Sequence, residues 1–284
     1  AYTVVGVMGY HWQVALLAVF VEGIIFIVLS LTNVREAIFD AIPLNLKKGV
    51  SVGIGIFIAF IGLQNAKLVI GNKSTLVSIT NFTKDFHTAG IYSLLAVIGL
   101  LITVILYIKK VPGSILIGIL ATWVIGMLCQ IAGIYVPDFK TGYYSLFPTF
   151  AMTDFSKLGE TFGKCFQYDL GKVGIFNFIA VVLSFLFVDL FDTLGTLVGV
   201  STKAGMLDEE GKLPGIKPAL MADAVATTAG AVLGTSTVTT FVESSSGVAA
   251  GGRTGLTAVV SGFLFLISTL FAPLFTAIPS FATA

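Results

Sequence analysis

Charge is what this chain has least of. Sixteen lysines and arginines and fifteen aspartates and glutamates make up 11% of its 284 residues, against about 25% in soluble domains. That scarcity, with 56% hydrophobic residues and a mean hydropathy of +0.99, excludes a water-soluble globule. A net charge of +1 gives no electrostatic footprint for a nucleic-acid partner. Cysteine is nearly absent, and Cys129 and Cys165 form neither a disulfide framework nor a zinc spacing. The two histidines, His11 near the end of an apolar run and His87 in a loop, leave a histidine metal site unsupported.

What is abundant is uninterrupted apolar sequence. Crossing a hydrocarbon core of about 30 Å takes about 20 apolar residues in a helix. Runs of that kind predict spans at 11–31, 49–70, 89–108, 112–134, 174–200, 218–233 and 255–277. The chain therefore reads as an all-α polytopic membrane protein. Between the first two runs, "REAIFDAIP" (35–43) predicts a short amphipathic helix in the membrane interface. In "TDFSKLGETFGKCF" (153–166), Phe155, Leu158, Phe162 and Phe166 recur at helical spacing and predict a second interfacial helix. The basic residues divide unevenly. Arg35, Lys47, Lys48, Lys109, Lys110, Lys203, Lys212, Lys217 and, if 234–252 is one crossing, Arg253 mark the cytoplasmic side. Lys73, Lys84, Lys140, Lys157, Lys164 and Lys172 are spread over the longer loops opposite.

Two stretches break the apolar pattern. "TSTVTTFVESSSGVAAGGRTG" (235–255) begins with β-branched, hydroxyl-bearing residues that favour extended backbone, then turns to small residues beyond Glu243. It predicts a short extended segment followed by a half-helix over about 235–252, with Ser244, Ser245 and Ser246 available as caps. Non-helical backbone at membrane depth survives only inside protein or along a cavity, and the free N–H groups at a half-helix start form a polar socket. Gly247 and Gly251, four apart, also fit a helix-packing face, but that leaves Glu243 unexplained. A carboxylate at this depth is a functional candidate by default.

The second stretch is "FLFVDLFDTLGTLVGV" (185–200), where Asp189 and Asp192 share a helix face and Thr196 follows one turn later. Two carboxylates this close in low dielectric do not both ionise without cost, so one is a candidate proton carrier. One of them serving only as an acceptor for a neighbouring helix is the plainer reading. Glu22 is isolated mid-span and expects a packing partner, and Asp223 is placed to cap or pair. No nucleophile–base arrangement is present, so an intramembrane enzyme lacks a second catalytic partner. "VEGIIFIVLSL" (21–31) and "VSGFLFLISTL" (260–270) echo one another faintly, as in transporters built from inverted repeats.

Together "FVDLFDTLGTLVGV" and "TSTVTTFVESSSGVAAGGRTGLTAVV" resemble the nucleobase–cation symporter-2 family, in its adenine/guanine/hypoxanthine branch. "GIGIFIAFIGLQNAKLV" (53–69), "AGMLDEEGKLPGIKPALMADAVATTAGA" (204–231) and "AIPSFATA" (277–284) share that likeness. The resemblance implies two inverted repeats of seven spans, divided into a core and a gate domain. Residues 1–48 and 173–271 would belong to the core, 49–134 and 272–284 to the gate, and 135–172 to an extracytoplasmic loop. It implies a fragment lacking the first three and the last spans of a bacterial inner-membrane carrier.

The implied function is proton-coupled uptake of purine bases by elevator-type alternating access, with no cofactor beyond the co-transported proton. A homodimer stays open. Glu243 would meet the purine N–H groups with the backbone of Val242 and Ser244 beside it. Asp189 would face the substrate, Asp192 would carry the proton, and Thr196 would add to the polar lining. The alternatives are another substrate on the same fold (xanthine, uracil or an anion) or, further off, an intramembrane enzyme.

Overall fold

The computed structural model describes residues 3–83, 85–167, 173–208 and 212–284, so Lys84 and Lys172 lie outside the described residues. The chain is mostly helical with little sheet. Six helical stretches among the described residues are long and apolar enough to cross a membrane, and α10 (Gly255–Leu270) is a shorter apolar one. The chain is a multi-pass integral membrane protein. It divides into two compact units, residues 1–54 with 154–253 and residues 55–153 with 254–284.

The first unit is built on three long helices, α1 (Trp12–Leu31), α7 (Ile175–Ala204) and α8 (Ile216–Leu233). At 1.5 Å per residue, α7 is about 45 Å long; it ends where Gly205 takes the left-handed conformation (φ 67°) that a side chain disfavours. Val14, Ala15 and Ala18 of α1 pack on Phe178, Val181 and Val182 of α7. A second cluster joins Phe39 of α2 (Val34–Ala41) to Leu194 and Val198 of α7 and to Ile216 and Leu220 of α8. Helices α1 and α8 meet closely at a glycine. A Cβ on Gly23 would lie 2.9 Å from the backbone nitrogen of Thr228 and 3.1 Å from its Cα. Backbone cannot yield as a side chain does, so Gly23→Ala should destabilise the protein by about 1–3 kcal/mol. A lowered melting temperature in detergent checks this; an unchanged one would mean that the helices part freely.

In the second unit, α4 (Ile91–Ile108) and α5 (Ser114–Ile131) enclose an aromatic core of Tyr92, Trp123, Tyr135, Tyr143 and Phe281. Its polar atoms are satisfied internally, as burial demands: Trp123 Nε1 donates to the Leu146 carbonyl at 2.7 Å, and the Tyr135 hydroxyl to that of Tyr144 at 2.8 Å. Burial pushes the Tyr135 and Tyr143 hydroxyls above the ordinary tyrosine range. Outward faces stay apolar. In α10, Leu256, Val259, Phe263 and Leu266 are all exposed.

Three expectations from the sequence are corrected. The span expected at 49–70 is α3 (Leu44–Asn65), and the apolar residues after it form a hairpin of β1 (Val69–Asn72) and β2 (Leu76–Ile79). Asn72 Oδ1 accepts from the backbone N–H groups of Ser74 and Thr75 and turns the chain there.

The piece at 153–166 is not one helix. A 3₁₀ turn at Phe155–Lys157 and the single turn α6 (Leu158–Thr161) are followed by Gly163 at φ 67° and another 3₁₀ turn, Lys164–Phe166. Its end docks on the first unit, where the Gly163 N–H donates to the Val232 carbonyl at 2.8 Å and Phe166 meets Phe20 edge-on.

The third concerns α2, which buries both Arg35 and Phe39 completely within the first unit. Arg35 is therefore neither an interfacial residue nor a free loop cation.

Candidate functional site

The stretch after α8 runs from Thr235 to Val242 as irregular backbone, without strand partners, into α9 (Ser244–Ala249). What holds it is a set of side chains on the three long helices. Thr227 of α8 donates to the Val238 carbonyl at 2.7 Å. Thr193 of α7 shares a 3.0 Å hydrogen bond with Thr239. Thr237 donates to Glu22 of α1 over 3.4 Å. Threonine thus supplies from the side what a ladder or helix would supply along the chain. The serine caps expected at 244–246 do not form: Ser246 Oγ donates to the Glu243 carbonyl at 2.7 Å, and no side chain caps α9. The half-helix is only six residues long.

Beside this segment lies a cavity of about 680 Å³. Its walls are largely apolar, with Val4, Trp12, Val19, Val181 and Phe185 among them, and its polar groups come from Ser184, Asp189, Asp192, Ser236, Thr237 and Thr239. A mostly apolar hollow with a few convergent polar groups is the usual form of a small-molecule site. Asp189 is 5% exposed, and its Oδ2 has no hydrogen-bond partner among the described residues. Asp192 is half-buried and feels the charges of Asp223 and Glu243.

Of the residues singled out from the sequence, the structure brings Asp189 and Asp192 to one cavity wall. Glu243 and Ser244 are exposed where α9 begins, Val242 is half-buried, and Thr196 is buried within α7; none of these four lines the cavity. Helix α9 packs along α7, which keeps Glu243 within electrostatic reach of Asp192.

The sequence did not reveal Arg35. Its guanidinium donates to Asp223 Oδ2 at 2.7 Å and to the Leu220 carbonyl at 2.9 Å. It also stands 3.9 Å from Asp189 Oδ2 and 3.9 Å from the centre of the Phe26 ring. Removing one partner of such a buried pair costs about 3–5 kcal/mol. Glu22, expected only to pack, is fully buried with Oε1 unpartnered. Among the described residues no group of histidine, cysteine or acidic side chains is arranged to hold a metal ion. The one available signal for Arg35 was an arginine on the same face as Phe39 in a short amphipathic helix.

The model of the Permease family matches residues 1–284. The chain is 44% identical over 273 residues to the guanine/hypoxanthine permease PbuG of Bacillus subtilis, covering 96% of this chain and 57% of that protein. It is 43% identical over 276 residues to the guanine/hypoxanthine permease PbuO of the same organism, covering 96% and 59%. It is also 38% identical over 285 residues to the adenine permease AdeQ of Escherichia coli, covering 100% and 59%. The chain thus spans less than two thirds of the length of these relatives, which are permeases rather than enzymes. On the family match and these identities, the chain belongs to the Permease family, that of the nucleobase–cation symporter-2 proteins.

Proposed function

We propose that the protein of which this chain is part carries purine bases inward across a bacterial cell membrane together with a proton. The observation that carries this reading is a pair of carboxylates, Asp189 and Asp192, on the wall of one apolar cavity in a relative of guanine, hypoxanthine and adenine permeases. Purine rings are flat, largely apolar faces edged with N–H donors. Apolar walls suit the faces, and ionised acceptors suit the edges, because charge-assisted bonds are about twice as strong as neutral ones. A site for an anion would present cationic groups instead. Here the nearest guanidinium is already engaged by Asp223.

In this reading Asp189 accepts from the base and Asp192 carries the proton. Glu243, exposed at the start of α9 and outside this cavity wall, is assigned the second acceptor, with the backbone of Val242 and Ser244 beside it, and Thr196 supports the polar side from within α7. Transport proceeds by an elevator-like shift of a core against a gate.

The test is uptake of radiolabelled hypoxanthine by cells that lack their own purine carriers and express the full-length protein. Uptake that a protonophore suppresses, and that excess guanine or adenine but not uracil abolishes, supports the proposal. No uptake by well-expressed, inserted protein overturns it. Glu243→Gln is expected to lower uptake roughly tenfold or more, the loss of one charge-assisted bond. Parent-level uptake would remove Glu243 from the site.

A further inference from the structure

Asp189 faces two demands at once. To accept an N–H donor from a ligand with the strength of a charged acceptor it must be an anion, and an anion at 5% exposure needs a counter-charge. A counter-ion in direct contact would occupy the lone pairs that the ligand needs. Arg35 meets both requirements. It lies 3.9 Å from Asp189 Oδ2, close enough for charge compensation and too far for a hydrogen bond; that oxygen is itself buried with no other partner among the described residues, which leaves the second carboxylate oxygen to face the cavity.

The gap is held open. Asp223 at 2.7 Å, the Leu220 carbonyl at 2.9 Å and the Phe26 face at 3.9 Å fix the guanidinium from three directions. Arg35 is fully buried and takes no part in the cavity wall, so it reaches Asp189 from within the protein.

We infer that Arg35 is a positioning residue for ligand recognition: anchored by Asp223, it compensates Asp189 without contacting the ligand. This inference rests on the purine reading. Asp223 is then the anchor of the cation, and Leu220, Phe26 and Asp223 together set its distance from the binding carboxylate.

The experiment is hypoxanthine binding to the purified full-length protein, with thermal unfolding measured alongside. The variants are Arg35→Gln, Asp223→Asn, the Arg35→Gln/Asp223→Asn pair and Arg35→Lys. Arg35→Gln strands Asp223 as a buried unpaired charge and is expected to lose both stability and binding. The double variant removes that charge as well. It should melt above Arg35→Gln, yet bind roughly tenfold more weakly than Asp223→Asn alone. Arg35→Lys keeps the charge but not the planar fork that Phe26, Leu220 and Asp223 hold, so it should bind more weakly than the parent and better than Arg35→Gln.

Two results would overturn the inference: a double variant that binds as well as Asp223→Asn, or a folded Arg35→Lys that binds as poorly as Arg35→Gln. Unfolding of both the double and the lysine variant would also overturn it, since Arg35 would then be a keystone of the fold alone. A folded parent that binds no hypoxanthine marks failure of the purine reading itself, whereas a binding parent with an indifferent double variant marks failure of the Arg35 assignment alone.

Discussion

Asp189→Asn in the full-length protein should weaken hypoxanthine binding by about 30-fold or more, the scale of about 2–5 kcal/mol for truncating one partner of a buried, hydrogen-bonded charge pair. The substitution keeps the shape of the side chain and one carbonyl acceptor, but it replaces the charged acceptor on the cavity wall with a neutral one. The fold should persist, because Arg35 retains its contacts at 2.7 Å to Asp223 and 2.9 Å to Leu220. Binding to purified protein, with a melting curve to show that it is folded, reads the effect directly. Affinity within threefold of the parent would take Asp189 out of the binding site and direct attention to Glu243.

Asp192→Asn has a different expected signature. Asp192 lies on the same cavity wall, one helical turn from Asp189, and its setting is acidic: the neighbouring charges it feels are those of Asp223 and Glu243. A half-buried carboxylate on the cavity wall is placed to exchange a proton with the cavity. With asparagine there, hypoxanthine should still enter down its own gradient. It should no longer accumulate, and a protonophore should leave its entry rate unchanged. Time courses of uptake with and without protonophore separate rate from accumulation. Accumulation as sensitive to the protonophore as in the parent would assign the proton to another carboxylate, with Glu22 the next to test.

The spans were legible because membrane crossing imposes one simple demand, length and apolarity, that a sequence records locally. Trp12–Leu31 and Ser114–Ile131 fall inside the expected 11–31 and 112–134. The end of α3 was misjudged for a related reason. Leu68, Val69 and Ile70 keep hydropathy high after the helix has stopped at Asn65, and hydropathy does not distinguish a strand from a helix.

Asp189 and Asp192 stood out as carboxylates in an apolar run, whereas the partners that define their surroundings did not. Arg35 and Asp223 are 188 positions apart, and no local pattern announces a pair of that kind. Thr193 and Thr227 were equally silent, since a threonine in a span reads as tolerable packing until the segment that it holds is seen beside it. Glycine 163 shows the converse: a local conformational fact, φ 67°, broke a helix that the spacing of phenylalanines had promised.

The distance in sequence between Arg35 and Asp223 also sets an order of events during synthesis. At about 5–20 residues per second, the 188 residues between them take roughly 10–40 s to be added. Asp189 of α7 is made only 34 residues before Asp223, so through most of that interval α2 lacks both of the anionic partners that surround Arg35 in the finished fold. The helix must wait at the lipid headgroups, where its amphipathic sequence suits it, until α8 emerges and draws the arginine inward. The newly made chain is expected to pass through a stage with α1 inserted and α2 still outside.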